Sequence, residues 1–576
     1  MLPLQEYPRP SLVRDSYVNL NGKWQYAFRN NQAMPIEWDG EIVVPFSPEA
    51  ELSGVSRQLK PTEWLFYRRS FQAPDGDGGR VLLHFGAVDY LCRVWVNATE
   101  VGEHQGGYLP FTFDITDALF EGENLLTVEV QDPSDTGEQA RGKQKIERGG
   151  MFYTAQSGIW QTVWMERVPE NYVEKLKVTP DLKNGCANVV VQAANPKGAV
   201  ITAKIGTEEV ASCISDETGT ATLQLVKDRL RLWSPEDPFL YDLEVAMPDG
   251  DRVTSYFAMR QWAVERDGAG VLRFFLNGKP YFLHGLLDQG YWKEGLYTAP
   301  TDDAMVYDIE TVKSMGFNML RKHVKIEPER WYYHCDRLGM VVWQDMVNGG
   351  GKIPMWFVTY AINVFHPVLR RYKDTNYKLF SRTNEAERAR YYEELREMVE
   401  HLYNHPSIGC WVPFNEGWGQ FDAPKATELV RGLDPTRPID EASGWFDQGG
   451  GDVYSLHNYF YPLKVRPNKE RVVALTEYGG VSWPCPGHIF SDKTYGYGTA
   501  KDAVEFADKF KKLIEETVTP QIANGLSALV YTQVSDVEDE VNGLLTYDRE
   551  GVKWDRTTAR ECARMLSLEF DKCIRE

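Results

Sequence analysis

Two glutamates stand where a side chain could do chemistry. Glu416 ends the run IGCWVPFNE and Glu477 ends VVALTEYGG, each following a short apolar stretch that reads as a buried strand. An ionised carboxylate at the end of such a strand is costly unless it is paired or hydrogen-bonded, so these positions are informative. Either acid alone reads equally well as a helix cap or an arginine partner. Together they suit one reaction. Cleaving a glycosidic bond with retention needs a carboxylate to attack the anomeric carbon and a carboxylic acid to protonate the leaving oxygen, about 5–5.5 Å apart. Mutual repulsion at that distance raises the pKa of one partner, which lets it hold a proton while the other stays ionised.

The elements that would position them follow from pattern. Residues 1–168 show short alternating segments broken by Gly, Pro, Asn and Asp, among them GKWQYAF, RVLLHFG, CRVWVNATEVGEH, NLLTVEV and QTVWMERV. That predicts an antiparallel jelly-roll β-sandwich. Residues 169–262 carry a second set, from VEKLKVTP to TSYFAMR, with the spacing of an immunoglobulin-like sandwich but without the cysteine pair of antibody domains. From 263 to 576 apolar runs alternate with amphipathic helices, one of which places Met305, Ile309 and Val312 on one face. Another closes at Gly339, and Asn384 with Glu387 makes a cap pair for a third. Eight strand candidates in about 300 residues predict a (β/α)8 TIM barrel, whose reactive side chains project from the C-terminal strand ends. Glu416 and Glu477 then end the fourth and seventh strands. Pro413 predicts a bulge or an early end to the fourth.

Composition narrows the function. The 576 residues carry a net charge of −20 with no long Lys/Arg cluster, so nucleic acid and anionic membranes are excluded as partners and a neutral substrate is expected. No apolar run is long enough to span a bilayer and MLPLQEYPRPSLVR lacks the apolar core of a signal peptide, which makes the cytoplasm the default compartment. The eight cysteines show no metal spacing and read as buried thiols. Abundant Trp, Tyr and Phe suit the mixed faces of sugars as well as large cores. The acidic stretch SDVEDEVNG invites a metal reading but fails the calcium-loop pattern.

The domain order, with NHPSIGCWVPFNEGWGQ and LTEYGG in the third part, resembles glycoside hydrolase family 2, the beta-galactosidase and beta-glucuronidase family. The resemblance covers nearly the whole chain. It implies that Glu416 is the general acid/base, Asn415 the donor to the sugar 2-hydroxyl and Glu477 the nucleophile. It further implies that Arg321 in FNMLRKH holds Glu477 ionised and that Tyr459 in LHNYF donates to it. Trp418, His457, Trp343, Asp345, His284 and Asp288 lie at or just past barrel strands and are expected to contact sugar or support those that do. Two departures bear on substrate. Where members carry a His three residues after the second-strand Arg, this chain has Val324, the nearest histidine being His323, and the Asn-x-Lys motif of beta-glucuronidases is missing from VSWPCPGHIFSDKTYGYG.

The expectation is therefore a retaining exo-glycosidase that needs no cofactor and no metal in its chemical step. Its substrate would be a small oligosaccharide or glycoside with a terminal neutral sugar, first a beta-galactoside, with galactofuranoside, arabinoside or mannoside open and glucuronide disfavoured. Insertions near 347–384 and 481–500 would overhang the pocket and restrict it to chain ends. A homo-oligomer is compatible with the sequence. The competing classes are a noncatalytic carbohydrate-binding scaffold and a metal-dependent barrel hydrolase. The second needs a His/Asp/Glu ligand set that spacing does not reveal.

Overall fold

A period of two puts alternate side chains on one face of a strand, and the first third of the chain uses it to bury a shared core. The computed structural model describes residues 2–575 apart from 77, 363, 364, 366–368, 460 and 461. In it a six-stranded antiparallel sheet containing Gly22–Arg29, Trp64–Gln72, Leu91–Val96 and Glu123–Gln131 packs on a four-stranded sheet containing Arg80–Phe85 and Val163–Val168. Leu65, Val94 and Val128 from the first meet Leu83, Phe85 and Met165 from the second. The next sandwich sets Lys175–Asp181, Cys186–Gln192 and Thr220–Gln224 against a sheet of Glu208–Ile214, Val200–Ile205, Tyr241–Ala246 and Arg252–Phe257.

The third part is the barrel. Its parallel strands run, in spatial order, Ile408–Val412, Val341–Asp345, Met319–Lys322, Leu283–Asp288, Leu526–Thr532, Val472–Gly479 and Val453–Asn458, one curled sheet of seven. The gap between its edges is occupied by a short parallel pair, Phe414–Asn415 with Ala442–Ser443. The fourth strand stops at Val412 and restarts at Phe414, so the interruption expected at Pro413 is present. Proline has no N–H to give the ladder, and re-aiming the chain there brings Asn415 and Glu416 to the barrel mouth. A hairpin of Trp262–Arg266 and Leu272–Leu276 plugs the opposite end, where Trp262, Phe274 and Leu276 pack against Leu283, Met319, Trp343 and Val472.

Helices Asp302–Ser314 and Glu329–Leu338 cover the strands, the first burying Met305, Ile309 and Val312, the second ending at Gly339 with φ 71°. Among the described residues no helix follows the fifth or sixth strand. Those connections carry Gly449, Gly450, Gly451, Pro462 and Pro467, which disfavour helix. Asn384 caps Glu385–Leu402 by accepting from the Ala386 N–H, but its expected partner Glu387 does not reciprocate; the Asn384 N–H donates instead to Glu138 of the jelly roll. Cys92, Cys186, Cys335, Cys410 and Cys562 are buried, whereas Cys213, Cys485 and Cys573 are only half-buried, correcting the expectation for all eight. Among the described residues no helix is long and apolar enough to cross a membrane.

Candidate active site

Glu416 is held on a strained turn. Its φ is 49°, in the left-handed region that costs a residue with a Cβ about 1–2 kcal/mol. Two backbone bonds fix it there, Glu416 N–H to Ser443 O at 3.0 Å and Trp418 N–H to Asn415 O at 3.0 Å. Glu477 sits within the seventh strand where its pairing register shifts on both sides, and its carboxylate accepts from Tyr459 Oη at 2.6 Å and from Arg321 Nη1 at 3.3 Å. His457 Nδ1 is 2.7 Å from Glu416 Oε1 and 3.7 Å from Glu477 Oε2. One oxygen of each glutamate and one His457 nitrogen all lie within 4.8 Å of one another. The Glu416 and Glu477 side chains keep 11% and 5% of their surface exposed, so both reach an opening.

Arg321 organises the rest. It is fully buried, with Nε and Nη2 forked onto Asp345 at 2.9 and 3.0 Å, Nη1 on Glu477, and Nη2 also on Asn415 Oδ1 at 2.8 Å. A guanidinium only donates, so the Asn415 oxygen must face it. That leaves Asn415 Nδ2 buried without an acceptor among the described residues and available to a ligand hydroxyl.

The two carboxyls are pushed in opposite directions. Burial raises Glu416, and the negative charge of Glu477 raises it further. Burial would raise Glu477 too, but its neighbours His457, His323, Arg321 and Lys143 bring it down to about 2. His323 is itself driven well below its ordinary value by burial and is therefore neutral, so the permanent charges acting on Glu477 are Arg321 and Lys143. At neutral pH Glu477 is ionised and Glu416 is the group that can retain a proton.

Of the residues singled out in the sequence, the structure brings together Glu416, Glu477, Asn415, Arg321, Tyr459, His457 and Asp345. Three lie elsewhere. His284 packs on Phe317 with ring centroids 4.3 Å apart, and burial pushes it down to about 3. Asp288 is ion-paired to Lys322 at 2.7 Å behind the strands. Trp343 is in the barrel floor against Phe274. Trp418 borders the site, but Phe152 of the jelly roll stacks over it at 5.3 Å and only 2% of it is exposed.

Sequence reasoning missed Lys143, which a jelly-roll loop brings to within 5.6 Å of the Trp418 ring centroid, and Tyr497, which stacks on Tyr459 at 3.9 Å. Neither belongs to a local motif. The second insertion reaches the site through Tyr497, whereas Phe357 of the first packs on Phe446 at 5.1 Å.

Two clusters with metal-ligand chemistry emerge that spacing did not reveal, Glu416 with His457 and Glu477, and His488 with Asp548 and Glu550. The first does not fit an ion. Ligands at about 2.0–2.2 Å from a tetrahedral metal stand more than about 3 Å from each other, whereas His457 Nδ1 and Glu416 Oε1 are 2.7 Å apart, a hydrogen-bond distance, with Arg321 alongside. A cavity of about 400 Å³ between the jelly roll, the second sandwich and the barrel helices is lined by Arg9, His104, Trp160 and His401 and touches neither glutamate.

Three family models match the chain. Residues 17–169 match "Glycosyl hydrolases family 2, sugar binding domain", residues 171–260 "Glycosyl hydrolases family 2", and residues 271–471 "Glycosyl hydrolases family 2, TIM barrel domain". A beta-galactosidase of Thermoanaerobacter pseudethanolicus is 25% identical over 507 residues, covering 83% of this chain and 62% of its own. The chain spans about half to three-fifths of the length of the first curated relatives it matches. Among solved structures, the beta-D-glucuronidase of Dictyoglomus thermophilum superposes with a TM-score of 0.75 at 18% identity, covering 97% of this chain and 98% of its own. A beta-galacturonidase from Eisenbergiella tayi bound to galacturonate gives 0.71 at 19%, with 98% and 99% covered.

Proposed function

The chain belongs to glycosyl hydrolase family 2, and from that premise we propose that it is a retaining, exo-acting glycosidase using Glu477 as nucleophile and Glu416 as acid/base. The observation that carries this is the pair of carboxylates with oxygens within 4.8 Å and opposite pKa shifts. That separation suits direct attack rather than an interposed water, which would need about 6.5–9.5 Å.

Ionised Glu477, oriented by Tyr459 and Arg321, attacks the anomeric carbon while Glu416 gives its proton to the departing oxygen. Asn415 Nδ2 donates to the sugar 2-hydroxyl. The ester formed on Glu477 removes one negative charge, so Glu416 now loses its proton readily and can take one from water. Water oxygen bonds to the anomeric carbon, the ester C–O bond breaks, and Glu477 leaves as a carboxylate.

For the sugar, a terminal neutral residue of the beta-galactoside type is the first choice. Relatives named beta-galactosidase and the missing Asn-x-Lys motif support it. The glucuronidase and galacturonidase structures are under 20% identical and speak to fold rather than sugar. Tyr497, reaching the site from a long loop, favours chain ends over internal linkages. The test is a panel of nitrophenyl galactoside, galactofuranoside, arabinoside, mannoside and glucuronide with the wild type and Glu477→Ala. The variant should lose turnover, and azide should restore it on activated substrates with a product of inverted anomeric configuration. Full hydrolysis by Glu477→Ala would overturn the assignment, and no cleavage of any glycoside by the wild type would favour a carbohydrate-binding scaffold.

A further inference from the structure

The acidic stretch after the eighth strand has a use that its sequence did not disclose. Glu538 accepts the Thr154 N–H through both oxygens, Asp539 pairs with Arg148 at 2.9 Å, and Glu540 accepts from Tyr153 Oη. All three grip one jelly-roll loop, in which Gln144–Lys145 pairs in parallel with Tyr153–Thr154. The base of that loop is fixed from the other side, where Arg141 and Gly142 donate their N–H groups to Asn348 O at 2.9 Å. Gly142 has φ +64°, and a Cβ there would sit 2.9 Å from Val324 O and from Tyr297 Oη. Only glycine lets the jelly-roll loop come this close to the loop after the second barrel strand.

What the clamp delivers is Lys143. Its side chain is 92% shielded, since only 8% remains exposed, yet among the described residues its ammonium has no ion pair and no hydrogen bond. It lies 5.6 Å from the Trp418 ring centroid, and its charge is felt by Glu416, Glu477 and His323. The other charged groups around it are already satisfied: Arg321 by Asp345 and Glu477, Arg141 by Gly350 O, Glu538 and Asp539 by the jelly-roll loop itself. His457 is shared between the two glutamates. An ammonium brought into a site at this cost of ordering and left unpaired has its charge free for a step in which the site's own charges change.

We propose that Lys143 is a positioning residue for the second half of the reaction: once Glu477 is esterified, the unpaired ammonium stabilises ionised Glu416 as the base that takes a proton from water. This rests on the two-glutamate reading and is independent of which sugar is bound. In the resting enzyme the Lys143 charge is opposed by Glu477. In the ester that opposition is gone and Glu416 is the carboxylate left for it to favour. No bond to Lys143 forms or breaks; water yields a proton to Glu416 and its oxygen to the anomeric carbon, and Glu477 regains its charge.

The test isolates that half-reaction. Wild type, Lys143→Met and Lys143→Arg are inactivated with a 2-deoxy-2-fluoro glycoside of the sugar the panel selects, freed of excess reagent, and followed for recovery of activity against pH. The expected result is that Lys143→Met recovers about 10-fold more slowly on the acid side, its acid limb moved up by about one pH unit. Azide, which attacks without a base, should erase most of the difference, and Lys143→Arg should keep the wild-type limb. An unshifted limb in Lys143→Met, or equal damage in Met and Arg that azide leaves in place, would overturn the proposal and make Lys143 a packing residue. Failure of the two-glutamate reading would show separately, as no covalent inactivation in any of the three proteins.

Discussion

Replacing Glu477 with Gln freezes the site in the charge state of the covalent intermediate, and Glu416 should respond. Burial is the larger cause of its raised pKa and the Glu477 charge the second, so the substitution removes only the second. With oxygens within 4.8 Å and an effective dielectric near 20, two unit charges repel by about 3.5 kcal/mol, or about 2.5 pH units. The Gln side chain keeps the shape; its one oxygen can still accept from Arg321, while its NH2 takes the place of the oxygen that accepted from Tyr459 and can donate to the phenol oxygen instead. The sign is fixed: removing a like charge favours ionised Glu416, so its pKa falls, by about two units after screening. Selective carboxyl-13C glutamate labelling, with Glu416→Gln in the same background to assign the resonance, reads the titration directly. A Glu416 pKa that stays put or rises in Glu477→Gln would refute the idea that the pair is electrostatically coupled, and with it the switch from acid to base.

Two further outcomes follow from the same geometry. Glu416→Ala should leave kcat/KM on 2,4-dinitrophenyl glycosides nearly unchanged but lower it about 100- to 10,000-fold on alkyl glycosides, whose leaving oxygen needs a proton. Equal losses on both, measured side by side, would remove the acid role. Tyr459→Phe deletes the 2.6 Å donor to Glu477; a hydrogen bond to a charged group is worth about 1.5–3 kcal/mol. The acid limb of kcat/KM should therefore move upward by about one to two units from a nucleophile pKa of about 2, and an unmoved limb would show that the phenol does not hold the carboxylate ionised.

What was legible in the sequence was legible for a physical reason. Glu416 and Glu477 end apolar runs, and a carboxylate there is anomalous without a task, so type and position together marked them. His284, Asp288 and Trp343 also stand on barrel strands, and strand position alone misplaced them. In the first strand Leu283 and Leu287 enter the barrel interior, so His284 and Asp288, on the opposite parity, must face outward. Trp343 shares the inward parity of Asp345 but sits two residues lower, about 6.6 Å nearer the plugged end. A parity count from the apolar residues would have separated His284 and Asp288, and a depth count along the third strand Trp343. Lys143 and Tyr497 were invisible to any such count, because their place in the site exists only after a separate sandwich and a long loop dock on the barrel.

That docking explains an otherwise odd distribution of charge. Glu416 and Glu477 are chemically identical, both nearly buried, and a few ångströms apart, so nothing intrinsic decides which is ionised. The decision is made by partners that arrive from four places: Arg321 from the second strand, Tyr459 just past the sixth, His457 within the sixth, and Lys143 from another domain. Three of these touch a glutamate through a directed bond and therefore favour one fixed state. Lys143 touches neither. A charge acting through space favours whichever carboxylate is ionised at the time, which is the property a site needs when Glu477 loses and regains its charge and Glu416 must turn from acid to base within one turnover. A directed salt bridge from Lys143 to either glutamate would have pinned the proton and stalled one half of the reaction, so holding the ammonium close but unbonded, on a loop clamped by Glu538, Asp539 and Glu540, is the arrangement the chemistry requires.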